Sequence, residues 1–373
     1  MKYIFTILLL IHGLIHIMGF SKAFGLARLE QLTLPVSRIA GIAWLAAGLL
    51  FIAAAIAYFT NKSIWAYLAA PAVIISVILI VMAWKDARFG LIPDIIVALV
   101  IVISVAITIF NKQTGTAFSD LLTANQTKQK SNTISESELA ALPFPVRNWL
   151  VKSGATNRER DNKVWLQQNA VMELKPGQEK GYKATAQQVF SVSPPAFVWA
   201  VKMDMMPALN VYGRDQFIDG KGRMLIKMAG IFSLVDETGN KINEGSLQRY
   251  LAEIVWFPSA ALSPYITWEE IDSLSVRATM MYKGTKGSGV FRFNNNGDFV
   301  QFSTMRYKGN DPDAKRYKWV VNARKYDKKN GIRIPVKSDV TWELKDGNWT
   351  WMKIEIADIL YDAEVEKKLE ILD

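Results

Sequence analysis

Ile332-Arg333-Ile334-Pro335-Val336-Lys337-Ser338-Asp339-Val340-Thr341-Trp342-Glu343-Leu344 decides how the larger part of this chain folds. Ile332, Ile334, Val336, Val340, Trp342 and Leu344 fall on one face of an extended segment, and Arg333, Lys337, Asp339, Thr341 and Glu343 fall on the other. A period of two with one apolar and one wet face marks a strand of an antiparallel sheet. Comparable runs lie outward from it at 165–174, 184–192, 197–205, 224–235, 276–283, 290–294, 299–307, 317–326 and 349–361. Asp219-Gly220, Asn296-Gly297, Asn330-Gly331 and Asp346-Gly347 supply turns between them. Ten or more strands joined mostly by hairpins predict one large antiparallel sheet. Strands of about 13 residues, roughly 43 Å long, favour a strongly curled, half-barrel-like form. A few helices interrupt it, so the region from 138 to 373 reads as an α+β domain.

The front of the chain obeys different rules. Of the 78 charged residues, 11 lie in the first 112 positions. Four stretches there (3–20, 39–59, 64–84 and 91–110) approach or exceed the length and apolarity a bilayer crossing needs, about 20 residues of helix. Trp65 and Trp84 bracket the third, where amphipathic rings sit at lipid headgroups. The second is rich in Ala and Gly, which let membrane helices approach closely. Residues 1–110 therefore predict a four-helix transmembrane bundle, with its first helix retained rather than cleaved. Residues 111–137, dense in Ser, Thr, Asn, Gln and Lys, read as a polar linker. Lys22, Arg28, Arg38, Lys85 and Arg88 occupy the first and third loops, against Lys2, Lys62 and Lys112 on the opposite side. That excess places the first set in the cytoplasm and the C-terminal domain outside.

The protein has no cysteine, which excludes thiol catalysis and thiolate metal sites. The net charge of +10 divides evenly between front and rear, with no dense basic stripe. That suits anionic lipid surfaces and argues against nucleic acid as a partner. The sequence holds no Walker A motif, no H-E-x-x-H and no G-x-S-x-G, so no enzyme class or cofactor is assigned.

Both histidines of the chain, His12 and His16, sit four apart in the first span and so share one helix face. Ionisable groups inside a membrane are costly and mark function by default. Three readings follow: interhelical hydrogen bonding that fixes packing, proton or ligand handling, and a metal site in which Asp94 supplies the third ligand.

In the rear domain, Ser246 is expected to cap a helix with Leu247, Tyr250, Leu251, Ile254 and Val255 as its apolar stripe. Arg249, Glu253 and Trp256 take the other face, either as a solvated i,i+4 pair or as a polar anchor beside an aromatic wall in the sheet's concavity. Glu269, Glu270 and Asp272 read as acids opening a short helix. Ten of the 13 methionines fall between Met172 and Met352, and adaptable apolar side chains suit a core or a lipid-accepting surface. Met203, Met206 and Trp268 join Arg249, Glu253 and Trp256 as candidate ligand-binding residues.

The segments His12-Gly-Leu-Ile-His16, Gly19-Phe20-Ser-Lys-Ala-Phe24-Gly25 and Trp84-Lys-Asp86-Ala-Arg-Phe-Gly90 resemble the front of an uncharacterised bacterial membrane-protein family. Arg249-Tyr250-Leu-Ala-Glu253, Trp256-Phe-Pro258, Trp268-Glu269-Glu270-Ile-Asp272 and Gly331-Ile-Arg-Ile-Pro335 resemble its C-terminal domain of unknown function. That resemblance implies the cytoplasmic membrane of a bacterium and brings no activity with it. The strand order is also similar, at the level of fold, to the curled sheet of periplasmic lipoprotein carriers. The leading expectation is a membrane-anchored envelope protein whose external sheet binds a lipid, another hydrophobic ligand or an envelope protein. The alternative is a membrane-embedded metal or redox protein built on His12 and His16.

Overall fold

A computed structural model describes residues 2–30, 32–123, 133–206, 209–362 and 364–365. It divides into two compact units, residues 1–111 and 112–373. The first holds helices α1 (Lys2–Ala23), α2 (Arg38–Phe59), α3 (Trp65–Met82), the short α4 (Trp84–Ala87) and the start of α5 (Leu91–Thr123). Four helical segments are long and apolar enough to cross a membrane.

Seams at alternating spacings of three and four hold the helices together. The buried positions of α1 include Phe5, Leu9, His12, His16 and Gly19; those of α2 include Gly41, Trp44, Gly48, Phe51 and Ala55; those of α3 include Ala69, Ala72, Ser76 and Leu79. This is the a/d pattern of helices packing at shallow angles. Small residues set the closeness: a Cβ on Gly48 would stand 2.7 Å from the carbonyl oxygen of Gly13, and one on Gly13 would stand 2.9 Å from that of Gly48. Ile7, Ile11, Leu14, Ile42, Leu49, Ile74, Ile78 and Leu99 face outward and are exposed. An apolar outer surface of this extent is stable in lipid, not in water.

The second unit adds α6 (Glu136–Ala140), opened by a Ser135/Glu138 capping box, and α7 (Phe144–Ser153), closed by Gly154 at φ 81°. Next come β1 (Lys163–Met172), β2 (Tyr182–Ser191), β3 (Ala196–Met206), β4 (Leu209–Ile218), β5 (Lys221–Met228), β6 (Phe232–Thr238) and α8 (Asn240–Glu253). After short 3-10 turns at Ile254–Trp256 and Pro258–Leu262 follow β7 (Ile266–Asp272), β8 (Ser275–Tyr282), β9 (Thr285–Phe293), β10 (Phe299–Tyr307), β11 (Arg316–Lys329), β12 (Ile332–Leu344) and β13 (Gly347–Tyr361). All 13 strands form one antiparallel sheet in the order β6-β5-β4-β3-β2-β1-β13-β12-β11-β10-β9-β8-β7, so β6 and β7 are its two edges.

The sheet curls without closing. Thr285 Oγ1 in β9 donates to the carbonyl of Gly220, in the β4–β5 turn, at 2.6 Å. Helix α8 packs on β4, β5 and β6 from one end of the order and on β8, β9 and β10 from the other. It therefore lies inside the curl, and Leu247, Tyr250, Leu251, Ile254 and Phe257 share one core with Phe190, Phe197, Phe217, Phe291 and Phe302 of the strands.

Several sequence expectations change here. Helix α8 begins at Asn240, six residues before Ser246. Ser246 is an interior residue, fitted against Gly222, whose Cβ would stand 2.5 Å from the Ser246 hydroxyl. Glu269, Glu270 and Asp272 open no helix and lie on the edge strand β7, where outward charges deter pairing with another chain. Run 224–235 is two strands, turned at Ala229-Gly230 with φ of 52° and 72°. Of the polar stretch 111–137, residues up to Thr123 continue α5, and 124–132 lie outside the described residues. Phe118, Leu121 and Leu122 of that helix cover Trp165, Val189 and Val198 on the face of β1–β3 opposite the main core. These strands are thus buried on both faces where the helix covers them, which fits the unbroken apolar stretches Val164–Leu166, Val189–Phe190 and Ala196–Val201.

A buried carboxyl ties β1 to the turn after α8. Ser259 Oγ donates to Asp161 Oδ2 at 3.0 Å and accepts the Asp161 backbone N–H at 3.1 Å, while Arg158 stands 3.0 Å from Oδ1. Burial pushes this carboxyl from an ordinary 3.8 up to about 6, with Arg158 opposing the shift. The folded state therefore holds the proton more tightly than the unfolded chain, so stability grows as pH falls from about 6 towards 4 and is lost above that window. Asp161→Asn should remove up to about 3 kcal/mol of that pH dependence. Thermal melts between pH 4 and 7 check this; an unchanged slope would show that the carboxyl is ionised throughout.

Candidate functional site

Three helices of the first unit bring four polar side chains together. His12 and His16 come from adjacent seam positions of α1, Ser76 from α3 and Asp94 from the first turn of α5, all at most 3% exposed. His12 Nε2 lies 2.9 Å from Asp94 Oδ1. The Ser76 hydroxyl lies 2.7 Å from Asp94 Oδ2 and 2.9 Å from His16 Nε2. His16 Nδ1 turns back along its own helix to the carbonyl oxygen of His12, at 2.8 Å. Phe51 stands edge-on to His12 at 4.7 Å between ring centres, and Trp44 lies 4.9 Å from the ring of His16. Polar groups between membrane helices require partners, and here each is a partner of another.

A cavity of about 420 Å³ adjoins the cluster, lined by His12, His16, Trp44, Ile80, Phe89 and Asp86 among others. Glycine keeps its wall open. A Cβ on Gly90 would strike Ile80 at 2.8 Å, and one on Gly19 would enter the ring of Trp44 at 2.4 Å. Asp86 accepts bonds from the Leu34 backbone N–H at 2.8 Å and the Thr33 hydroxyl at 2.7 Å, which ties the α1–α2 loop to α4.

His12 and His16 share one face, as their helical spacing requires, and Asp94 reaches them from α5. They bond to one another, and among the described residues no group of three or more His, Asp and Glu is arranged to hold a metal ion. Sequence reasoning missed Ser76. Its signal was present: apart from Tyr67 it is the only hydroxyl in α3.

In the second unit the candidate residues separate. Arg249 and Glu253 lie inside the curl, where Arg249 Nε donates to Glu253 Oε1 at 2.9 Å and its Nη1 donates to Asp215 Oδ2 at 3.0 Å. Gln188 Nε2 donates to Glu253 Oε2 at 2.7 Å, and the Arg249 guanidinium covers the ring of Trp199 at 4.5 Å. Burial pushes the carboxyls of Asp215 and Glu253 upward against the pull of Arg249, and lowers the Arg306 guanidinium beside them to about 10. Trp256 is buried with its N–H donated to the Pro335 carbonyl at 3.1 Å, and Trp268 donates to that of Ala261 at 2.9 Å. Met203 is in the core. Met206 is exposed at the end of β3, seven residues and about 23 Å from Trp199. The structure therefore groups Arg249 and Glu253 with Asp215, Gln188 and Trp199, and places Met206 elsewhere.

No curated protein matches this chain. A crystal structure of a β-barrel-like protein of domain of unknown function DUF1849 from Brucella abortus aligns over 55% of this chain and 99% of that one, at 12% identity and a TM-score of 0.19. Residues 132–354 match the profile of the family of unknown function DUF6544, and because that match spans more than half of the chain, the protein belongs to this family.

Proposed function

We propose that the protein works at its helix module, as a membrane-embedded binding site for a small amphipathic molecule seated in the cavity beside His12 and His16. One observation carries the reading: four mutually bonded polar side chains, buried between helices apolar enough to cross a bilayer, adjoin a cavity of about 420 Å³. A purely structural polar contact has no need of the adjoining space. The resemblance of the front segments favours the bacterial cytoplasmic membrane, and the loop charges favour an orientation with the DUF6544 domain outside. Native mass spectrometry of the full chain released from micelles should show the added mass of a small organic molecule, lost in Met18→Trp, which fills the cavity. A stoichiometric transition metal found instead would favour the metal or redox reading of His12, His16 and Asp94. Neither mass would remove the binding proposal.

A hydrophobic ligand or lipid on the β domain is the second reading, and a specific feature favours it at the rim of the sheet. Leu174, Met206, Phe232 and Leu234 are 47%, 53%, 65% and 52% exposed, near the β1–β2, β3–β4 and β5–β6 connections at one end of the strands. The position inside the curl beside Arg249, Glu253 and Trp256 is packed with the protein's own side chains. A photoreactive lipid should label Phe232 in the full chain, and labelling confined to α1–α5 would remove this reading.

A further inference from the structure

We infer that Asp94, Ser76 and His16 share one mobile proton, and that His12 exchanges it with a weakly acidic ligand in the cavity, a phenol or a carboxylic acid. The inference rests on the cavity being the binding site. Hydrogen-bond polarity leads to it. His16 Nδ1 faces the His12 carbonyl at 2.8 Å, and a carbonyl only accepts, so Nδ1 carries a hydrogen. If His16 is neutral, its Nε2 must accept the Ser76 hydroxyl hydrogen across 2.9 Å. Ser76 then has none left for Asp94, and the 2.7 Å contact between them requires the hydrogen to come from a protonated Asp94. If Asp94 is ionised, Ser76 donates to it, and His16 Nε2 must donate to Ser76 as an imidazolium. An ionised Asp94 beside a neutral His16 would set two lone pairs against each other at one of these contacts. The two allowed states hold the same number of protons and differ only in which end of the chain carries one. Both are neutral overall, as a site between membrane helices requires.

His12 connects this chain to the cavity. Its Nε2–H donates to Asp94 Oδ1 in either state, while its Nδ1 makes no hydrogen bond among the described residues, and the residue lines the cavity. An imidazole with one nitrogen oriented by a carboxylate and the other free is arranged as a general base. A ligand O–H would give its proton to His12 Nδ1, and the His12 Nε2 hydrogen would pass to Asp94 Oδ1. The Asp94 Oδ2 hydrogen would pass to Ser76, and the Ser76 hydrogen to His16 Nε2. The products are a ligand anion and a His16 imidazolium on walls of the same cavity, with His12 and Asp94 again neutral and no proton gained or lost overall. The cavity's remaining ionisable group is Asp86, held by Leu34 and Thr33. Lys22, which acts on Asp86 and donates to the carbonyl of Leu32 at the cavity wall, offsets its charge, and the His16 imidazolium is the counter-ion within the cluster.

The test uses 4-nitrophenol, whose phenolate is coloured, with the full chain in nanodiscs. At a pH one unit below the dye's own pKa, the bound dye should show the phenolate spectrum, and a new imidazolium signal should appear in ¹⁵N-histidine NMR. Ser76→Ala, at a residue that does not line the cavity, should keep dye binding within threefold and return the phenol spectrum, and His12→Phe should weaken binding and leave no phenolate in the dye that remains bound. Ser76→Thr, which restores the hydroxyl, should recover the phenolate. Phenolate in Ser76→Ala, or phenol in the native chain, would overturn the shared proton while leaving the binding site intact. No dye binding by the native chain would overturn both.

Discussion

Replacing Arg249 with methionine should destabilise the β domain by about 3–5 kcal/mol at neutral pH, the cost of leaving buried charges without their partner. The guanidinium bonds Glu253 and Asp215 at once and covers the face of Trp199. Its side chain is only 14% exposed, and that of Glu253 10%, so water cannot replace it. After the substitution Arg306 alone faces two carboxylates, and it makes no ion pair as short as those of Arg249 among the described residues. Burial already pushes both carboxyls upward, and removing the cation pushes them further. The folded variant then binds protons more tightly than its unfolded chain, so its deficit should shrink as pH falls towards the ordinary carboxylate range. Pulse proteolysis of the full chain at pH 7.5 and pH 5 measures both effects. The double variant Arg249→Met with Glu253→Gln should lose less than Arg249→Met alone, because one orphaned charge goes with the cation. A loss under about 1 kcal/mol at pH 7.5 would mean that the pair behaves as an exposed one.

The buried position of that pair marks where the sequence stops being informative. Arg249 and Glu253 are four apart on a helix, and this spacing is the same for a solvated pair and for an interior anchor. The deciding partner, Asp215, lies 34 residues away in β4, in the segment Gly213-Arg214-Asp215-Gln216, which carries no local sign of burial. Only the curl brings it to α8. The strands themselves were legible because a period of two survives wherever one face is wet. It failed at β5–β6, where the turn Ala229-Gly230 lacks the Asn-Gly or Asp-Gly of β4–β5, β9–β10, β11–β12 and β12–β13, and at β7, whose acids suit an edge strand and a helix start equally well. The far end of α5 was hidden by composition. Its buried positions Thr114, Phe118, Leu121 and Leu122 recur at helical spacing within a polar stretch, and only the apolar outer face of β1–β3 gives them a surface to cover. The histidine cluster shows the converse. Helices apolar enough to cross a membrane carry few polar residues, so the few that remain identify one another: α3 offers only Ser76 besides Tyr67, and the first turn of α5 carries Asp94.

Gly48→Leu should destabilise the helix module by about 3 kcal/mol or more, above the usual range for overpacking because the obstacle is backbone. A Cβ there stands 2.7 Å from the carbonyl oxygen of Gly13 and 3.3 Å from the Cβ of His16. The carbonyl belongs to a helix and cannot rotate away, so α1 and α2 must separate. His16 sits on the displaced helix, and its contact to Ser76 at 2.9 Å has little slack before a hydrogen bond is lost. Packing and polar cluster should therefore fail together, with dye binding lost and the β domain unaffected. Gly115→Leu is the control for leucine on an open helix surface, since Gly115 is exposed on α5 and a Cβ there meets nothing within 4 Å. Thermal aggregation in detergent and 4-nitrophenol binding should both separate the two variants. Equal losses would attribute the effect to leucine on any helix of this chain. A stable Gly48→Leu that keeps its histidine NMR signals would show that α1 and α2 do not cross at Gly13.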